Sequence, residues 1–222
     1  MHSTSQPPLS QPISRAVRGF YAVLDRDDEA LAHQLVSLQG AGARVLQLRI
    51  KPDIPLTASA LLDIGRMARR VCREHGAALI INDRLDLALA CDADGCHLGQ
   101  EDLPVAAARA ALAACGRTLW LGVSTHTLAQ VTEAVAGGAD YLGFGPVFST
   151  QTKAKADPVV GISGLHAAAQ AAGAVPVVAI GGIGLDDAAT LYAAGAAALC
   201  AISAVNGAPD PAAAGRRLQR PA

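Results

Sequence analysis

Nowhere in this sequence does a cluster of Lys and Arg occur with aromatics between them, and aromatic residues make up only 3% of the chain. That leaves nucleic-acid binding without an electrostatic footprint. The 18 basic and 19 acidic residues nearly cancel, for a net charge of −1 and a pI near 6.6, so any recognition of an anion has to be local. No apolar run approaches the roughly 18 residues of a membrane span. The first 18 residues, MHSTSQPPLSQPISRAVR, are rich in Ser, Pro and Gln and lack the apolar core of a signal peptide. The five cysteines, Cys72, Cys91, Cys96, Cys115 and Cys200, form no C-x-x-C pair and have no histidine at zinc spacing. They read as inert, small, buried side chains in a reducing compartment. A cytoplasmic protein with a flexible tail over residues 1–18 is expected.

What remains, 19–222, is long enough for one domain, since α/β barrels routinely run to about 200–250 residues as a single unit. The hydrophobic content of 51% can supply its core. Short apolar runs alternate with helical patterns along its whole length. Phe20 to Leu24 reads as a strand, and Asp27-Asp28 starts a helix that stops near Gly40. Pro55 to Gly76 carries Leu61, Ile64, Ala68 and Val71 on one helical stripe. Further strands are expected at Ala78–Ile81, Gly95–Leu98, Thr118–Ser124, Tyr141–Phe148, Val175–Ile180 and Ala198–Ile202, each leading into a polar residue or a glycine turn. With Val45–Lys51 this makes eight strands alternating with helices and no compositional break, the pattern of a single (β/α)8 TIM barrel rather than an open doubly wound sheet.

Two of these stretches carry the strongest chemical signal. In Val45–Lys51, Leu46, Leu48 and Ile50 alternate with Gln47, Arg49 and Lys51, and period 2 assigns each set its own face. Alone, such a strand reads as a sheet edge with a solvated side. Between βα units both faces are buried, and cations on an inner face call for an anion. In the second stretch, Leu79 to Leu103, two apolar runs are followed by Asn82-Asp83 and, past Gly99, by Gln100-Glu101-Asp102.

A closed barrel gathers the C-terminal ends of its strands on one face, so Asp25, Arg49, Lys51, Asn82, Asp83, Asp102, Ser124, Thr150, Thr152, Lys153, Gly181, Gly182 and Ser203 are expected around one mouth. Gly181-Gly182 and Ser203 follow the last two strands, where such barrels often bind phosphate. A Gly pair is equally a tight strand-to-helix turn, and its position decides for phosphate. Arg49, Lys51 and Lys153, with Asn82 as a neutral donor, form a second anion site. Two anion sites imply two phosphorylated substrates. Asp83 and Asp102 sit among these cations; each could cap the following helix, but carboxylates beside a phosphate repel it unless a cation lies between, which favours Mg²⁺ bridging them to a diphosphate. The polar run 149–158 is long for a βα connection and reads as a functional loop.

Several blocks together resemble the thiamine-phosphate synthase family from about Tyr21 to Val205: Gln47-Leu48-Arg49-Ile50-Lys51, NDR at Asn82, HLGQEDLP at His97, GVSTHT at Gly122, DYLGFGPVF-x-T-x-TK from Asp140 to Lys153, and VAIGGI at Val178. Ile50 stands where the family usually has an acidic or polar residue. The resemblance implies a transferase that joins 4-amino-2-methyl-5-hydroxymethylpyrimidine diphosphate to 4-methyl-5-(2-phosphoethyl)thiazole through a dissociative pyrimidinylmethyl cation. It assigns Gln47 and Ser124 to the pyrimidine, Arg49, Lys51, Asn82 and Lys153 to the diphosphate, and Asp83 and Asp102 to Mg²⁺. Thr150 and Thr152 would meet the thiazole, with its phosphate on Gly181, Gly182, Ile202 and Ser203. Arg49, Lys51 and Lys153 would act catalytically on the leaving group. The expected partners are these two small molecules, with neither nucleic acid nor membrane, and homo-oligomerisation stays open.

Three other readings compete. A thiazole tautomerase-like relative shares the barrel but lacks the coupling reaction, and the presence of Asp83, Asp102 and the Thr150-x-Thr152-Lys153 segment speaks against it. A phosphosugar isomerase or lyase needs an acid/base pair near the phosphate, which the sequence does not offer. A non-catalytic phosphate-ligand sensor would bind thiamine phosphate without a metal. His97 and His126 have no partner identifiable from sequence and are read as structural.

Overall fold

The structure, a computed structural model, describes residues 12–51, 56–150 and 158–220. Its first element is a helical turn, α1 (Ile13–Ala16), followed by two short strands, β1 (Gly19–Phe20) and β2 (Ala22–Leu24). Strand and helix then alternate through α2 (Glu29–Val36), β3 (Val45–Leu48), α3 (Ala58–His75), β4 (Ala78–Asn82), α4 (Leu85–Ala90), β5 (Gly95–Leu98) and α5 (Val105–Ala114). The second half repeats the pattern with β6 (Trp120–Thr125), α6 (Leu128–Ala136), β7 (Tyr141–Phe144), α7 (Gly161–Ala172), β8 (Val177–Ile180), α8 (Ala188–Ala193) and β9 (Ala198–Cys200). Two helices, α9 (Ile202–Asn206) and α10 (Pro211–Arg217), close the chain.

All strand pairings are parallel, in the order β1-β9-β8-β7-β6-β5-β4-β3-β2. Only Tyr21 separates β1 from β2, and its N–H bonds Leu199 O at 2.9 Å. The two segments are therefore halves of one strand that pairs with β9 on one side and β3 on the other. This closes the expected barrel.

Closure creates two cores, and the alternation read in the sequence sorts residues between them. Leu46 and Leu48 of β3, with Leu79 and Ile81 of β4, face outward against the helices. Val45 and Ile80 face the lumen. Each fully buried leucine of the outer layer contributes about 2 kcal/mol. The stripe of α3 presents Ile64, Ala68 and Val71 to that layer, and the helix begins at Thr57, whose hydroxyl accepts from Ala60 N–H at 3.1 Å. Pro55, the start expected from sequence, lies outside the described residues.

The expected tail is too long at its C-terminal end. Ala16 and Val17 are only 2% and 1% exposed and join Ile13 in the lumen core. Three apolar residues in an otherwise polar segment plug the lower end of the barrel, so the ordered domain begins before Gly19. The N-terminal ends of the strands are also pinned by ion pairs. Asp94 accepts from Leu79 N–H at 2.8 Å and from Arg69 at 2.6 Å, and Asp140 accepts from Leu121 N–H at 2.7 Å and pairs with Arg109. These carboxylates and guanidinia hold strands to helices, away from the mouth.

Candidate active site

The C-terminal strand ends surround one cavity. Gln47 and Arg49 from the end of β3, Asn82 from β4 and Ser124 from β6 line it, and Thr150, Gly181, Gly182, Ile202 and Ser203 line its other side. Among the sequence-predicted residues, Lys51, Asp83 and Asp102 stand on the rim outside that lining, whereas Thr152 and Lys153 lie outside the described residues. Asp25 is drawn away from the cavity by Asn206, whose Nδ2 donates to it at 2.9 Å, and by Arg26.

Asp83 has a left-handed backbone, φ 63°, with its N–H bonded to His97 O at 2.7 Å. Few residues other than glycine accept this conformation, Asp and Asn foremost among them. Asp102 is fixed by its own turn, with Gly99 N–H donating to Oδ2 at 2.6 Å. The two carboxyl groups meet, and burial together with this contact raises Asp83 to about 6, while Lys51 and Arg49 pull it the other way. Two close carboxylates that repel one another, with hard oxygen donors and room at the rim, are a donor set suited to a hard divalent cation.

Arginine elsewhere in the protein is mostly paired with a carboxylate, as in Arg70–Glu29, Arg84–Asp86 and Arg117–Asp92. Among the described residues Arg49 and Lys51 form no such ion pair; Arg49 is half-buried and Lys51 exposed. Arg49 lines the cavity and both cations act on Asp83 at its rim, so an anionic ligand there gains from their charge.

Opposite them, Gly181 and Gly182 turn the chain sharply, at φ 86° and 70°. A Cβ on Gly181 would fall 2.4 Å from Pro146 Cβ, and one on Gly182 would fall 2.4 Å from Ser149 O. The loop after β7 is bound to this turn, since Phe148 N–H donates to Gly181 O at 3.0 Å. Glycine is required both for the conformation and for the close approach. Ile202 and Ser203 form the first turn of α9, where backbone N–H groups have no intrahelical partner.

The lumen floor holds polar groups that the sequence reading passed over. Tyr21, Tyr141 and His97 line the cavity beneath Gln47 and Ser124. His97 is buried, with Nδ1 3.0 Å from Tyr141 Oη and Nε2 2.9 Å from Ser124 Oγ. A signal for this was present: two of only three tyrosines in the chain fall on inward-facing strand positions. His126 bonds Gly145 O through Nδ1, and its N–H donates to Gln130 Oε1 at 2.7 Å, so it supports the capped start of α6.

Burial pushes the Cys72, Cys96 and Cys200 thiols up to about 12, which keeps them protonated and unreactive. Away from the mouth, His33, Glu74 and His75 cluster between α2 and α3, but the two imidazoles already bond each other at 2.9 Å.

A closed parallel barrel whose strand ends present cations, paired carboxylates and a glycine turn to one cavity has the layout of a (β/α)8-barrel enzyme. Residues 20–205 match the family model described as thiamine monophosphate synthase. The thiamine-phosphate synthase of Moorella thermoacetica is 49% identical over 80% of this chain and 81% of its own length. That of Methanospirillum hungatei is 48% identical over 82% and 84%. Among solved structures, thiamine phosphate pyrophosphorylase from Pyrococcus furiosus superposes with a TM-score of 0.80 at 35% identity, covering 92% of this chain and 95% of its own. The chain belongs to the thiamine monophosphate synthase family, a family of transferases.

Proposed function

We propose that the protein joins 4-amino-2-methyl-5-hydroxymethylpyrimidine diphosphate to 4-methyl-5-(2-phosphoethyl)thiazole, giving thiamine phosphate and diphosphate. The observation that carries this reading is the basic group Arg49 and Lys51, without an ion pair among the described residues, set beside the Asp83–Asp102 carboxyl pair and across the cavity from Gly181-Gly182. It supplies one site for a diphosphate and a separate one for a phosphate.

The bond between the pyrimidinyl methylene carbon and the diphosphate oxygen breaks, its electron pair leaving with the diphosphate. The ring amino group stabilises the resulting methylene cation, and the thiazole nitrogen captures it with its lone pair, forming the C–N bond. Neither step needs a protein base, in keeping with a mouth that holds cations and carboxylates. Arg49, Lys51 and Lys153 would neutralise charge growing on the leaving oxygen, fixed in place before it develops. Asn82 would donate a hydrogen bond to the same group. Gln47 and Ser124 would hold the pyrimidine. Thr150 and Thr152 would orient the thiazole so that its nitrogen lies close to the methylene carbon, with its phosphate on the N–H groups of Gly181, Gly182, Ile202 and Ser203. Asp83 and Asp102 would hold Mg²⁺, which when bound offsets the charge of the diphosphate.

Incubation of the purified protein with both substrates and Mg²⁺, with each omitted in turn, tests the reading by mass spectrometry of the product. Thiamine phosphate is expected only in the complete mixture. Binding of both substrates without product would leave a sensor and sink the synthase.

A further inference from the structure

Gln47 and Ser124, the two side chains assigned to the pyrimidine, lie on different strands, yet a continuous path of hydrogen bonds joins them beneath the cavity. Gln47 Nε2 donates to Tyr21 Oη at 3.0 Å, and Tyr21 Oη lies 2.8 Å from Tyr141 Oη. Tyr141 Oη is 3.0 Å from His97 Nδ1, and His97 Nε2 is 2.9 Å from Ser124 Oγ. We propose that Tyr21, Tyr141 and His97 are positioning residues for the aminopyrimidine, a polarised chain that sets the hydrogen-bonding character of Gln47 and Ser124 together. The inference rests on the substrate reading above and deepens it.

The direction of the chain follows from its first member. A tyrosine hydroxyl that accepts from the Gln47 amide passes its own proton on, so Tyr21 donates to Tyr141 and Tyr141 to His97 Nδ1. His97 is then the Nε2–H tautomer and donates to Ser124 Oγ. At the two ends this leaves Gln47 Oε1 as an acceptor and the Ser124 O–H as a donor. An aminopyrimidine edge offers the complement, an exocyclic N–H beside a ring nitrogen that accepts. Reversing the direction of the chain would exchange donor and acceptor at both ends, so the characters of Gln47 Oε1 and Ser124 Oγ are set together.

The barrel is shaped to accommodate it. A Cβ on Gly122 would fall 2.1 Å from Tyr141 Cζ, and one on Gly143 would fall 3.3 Å from His97 Cε1. Both glycines sit on strands, where a side chain would ordinarily fill the lumen. Their bareness lets the two rings lie across it, Tyr141 and His97 with centroids 5.4 Å apart. Burial holds both tyrosines far from ionisation, so each stays a neutral hydroxyl able to accept and donate.

Tyr141→Phe removes one oxygen and cuts the chain in the middle. By calorimetry it should bind the pyrimidine diphosphate about tenfold more weakly than the wild type, the cost of one unmet buried hydrogen bond. Affinity for inorganic diphosphate and KM for the thiazole phosphate should stay within about twofold. Tyr21→Phe, further along the same path, should repeat this selective loss, and the double variant should lose little more than either alone. In ¹⁵N NMR the wild-type His97 should show the Nε2–H tautomer, and Tyr141→Phe should disturb it. Equal pyrimidine affinity in wild type and both variants, equal loss for inorganic diphosphate, or an Nδ1–H tautomer would overturn the proposal. Absence of pyrimidine binding by the wild type would instead overturn the substrate reading beneath it.

Discussion

Asp83 and Asp102 meet carboxyl to carboxyl at the barrel mouth, and burial with this contact raises Asp83 to about 6 from an ordinary 3.8. In the metal-free protein such a pair destabilises the fold whenever both groups are charged. The raised group binds its proton more tightly folded than unfolded, so the penalty is absent below about pH 4, grows through the interval and is complete above about pH 6. Asp102→Asn should therefore raise the apo-protein's stability at pH 8 by roughly 1 kcal/mol after solvent screening. Denaturant titrations at pH 8 and pH 4 check this; a gain that persists undiminished at pH 4 would mean that the carboxyl contact is not its source.

The same substitution should cost activity. If Asp83 and Asp102 hold the metal, Asp102→Asn should lower turnover about 100-fold at fixed Mg²⁺, with the circular dichroism spectrum unchanged. Wild-type turnover in saturating Mg²⁺ would remove Asp102 from the metal site.

A metal held by Asp83 would compete with the proton on its carboxyl group. Addition of Mg²⁺ should raise Tm by about 2–4 °C at pH 8, as expected for roughly 1 kcal/mol in a chain of this length, and by clearly less at pH 5.5. Differential scanning fluorimetry across pH reads this directly, and an Mg²⁺ effect independent of pH would contradict the assignment.

Arg49 and Lys153 should matter through the leaving group. Arg49→Ala and Lys153→Ala should each reduce kcat by about 100-fold or more while leaving Tm within a few degrees. Wild-type kinetics in Lys153→Ala would remove Lys153 from the diphosphate site.

At Gly182 the positive φ and the closeness of Ser149 O act together. Gly182→Ala should cost about 2 kcal/mol or more of stability and raise KM for the thiazole phosphate more than KM for the pyrimidine diphosphate. Equal effects on both would place the phosphate elsewhere.

Much of this geometry was legible because barrel strands obey a simple period. The alternation of Leu46 and Leu48 with Gln47 and Arg49 predicts two faces, and the structure gives one to the helix layer and the other to the cavity. Asp83 and Asp102 were likewise marked by their place in the short polar segments that follow apolar runs. Their mutual contact was not, because it depends on the left-handed backbone at Asp83 and the turn at Gly99. His97 read as structural because its partners, Tyr141 and Ser124, come from other strands and meet it only across the closed lumen. The extent of the N-terminal tail was misjudged for a similar reason: Ile13, Ala16 and Val17 are too few to form a periodic pattern, and only the open lower end of a barrel gives them something to fill.

The coupling reaction itself is the most direct test of the account. With both substrates, Mg²⁺ and the purified protein, ³¹P NMR should show inorganic diphosphate and thiamine phosphate appearing in equal amounts and at the same rate, and neither when the thiazole phosphate is withheld. Diphosphate released without thiamine phosphate in the complete mixture, or no turnover of a protein shown to bind both substrates, would contradict it.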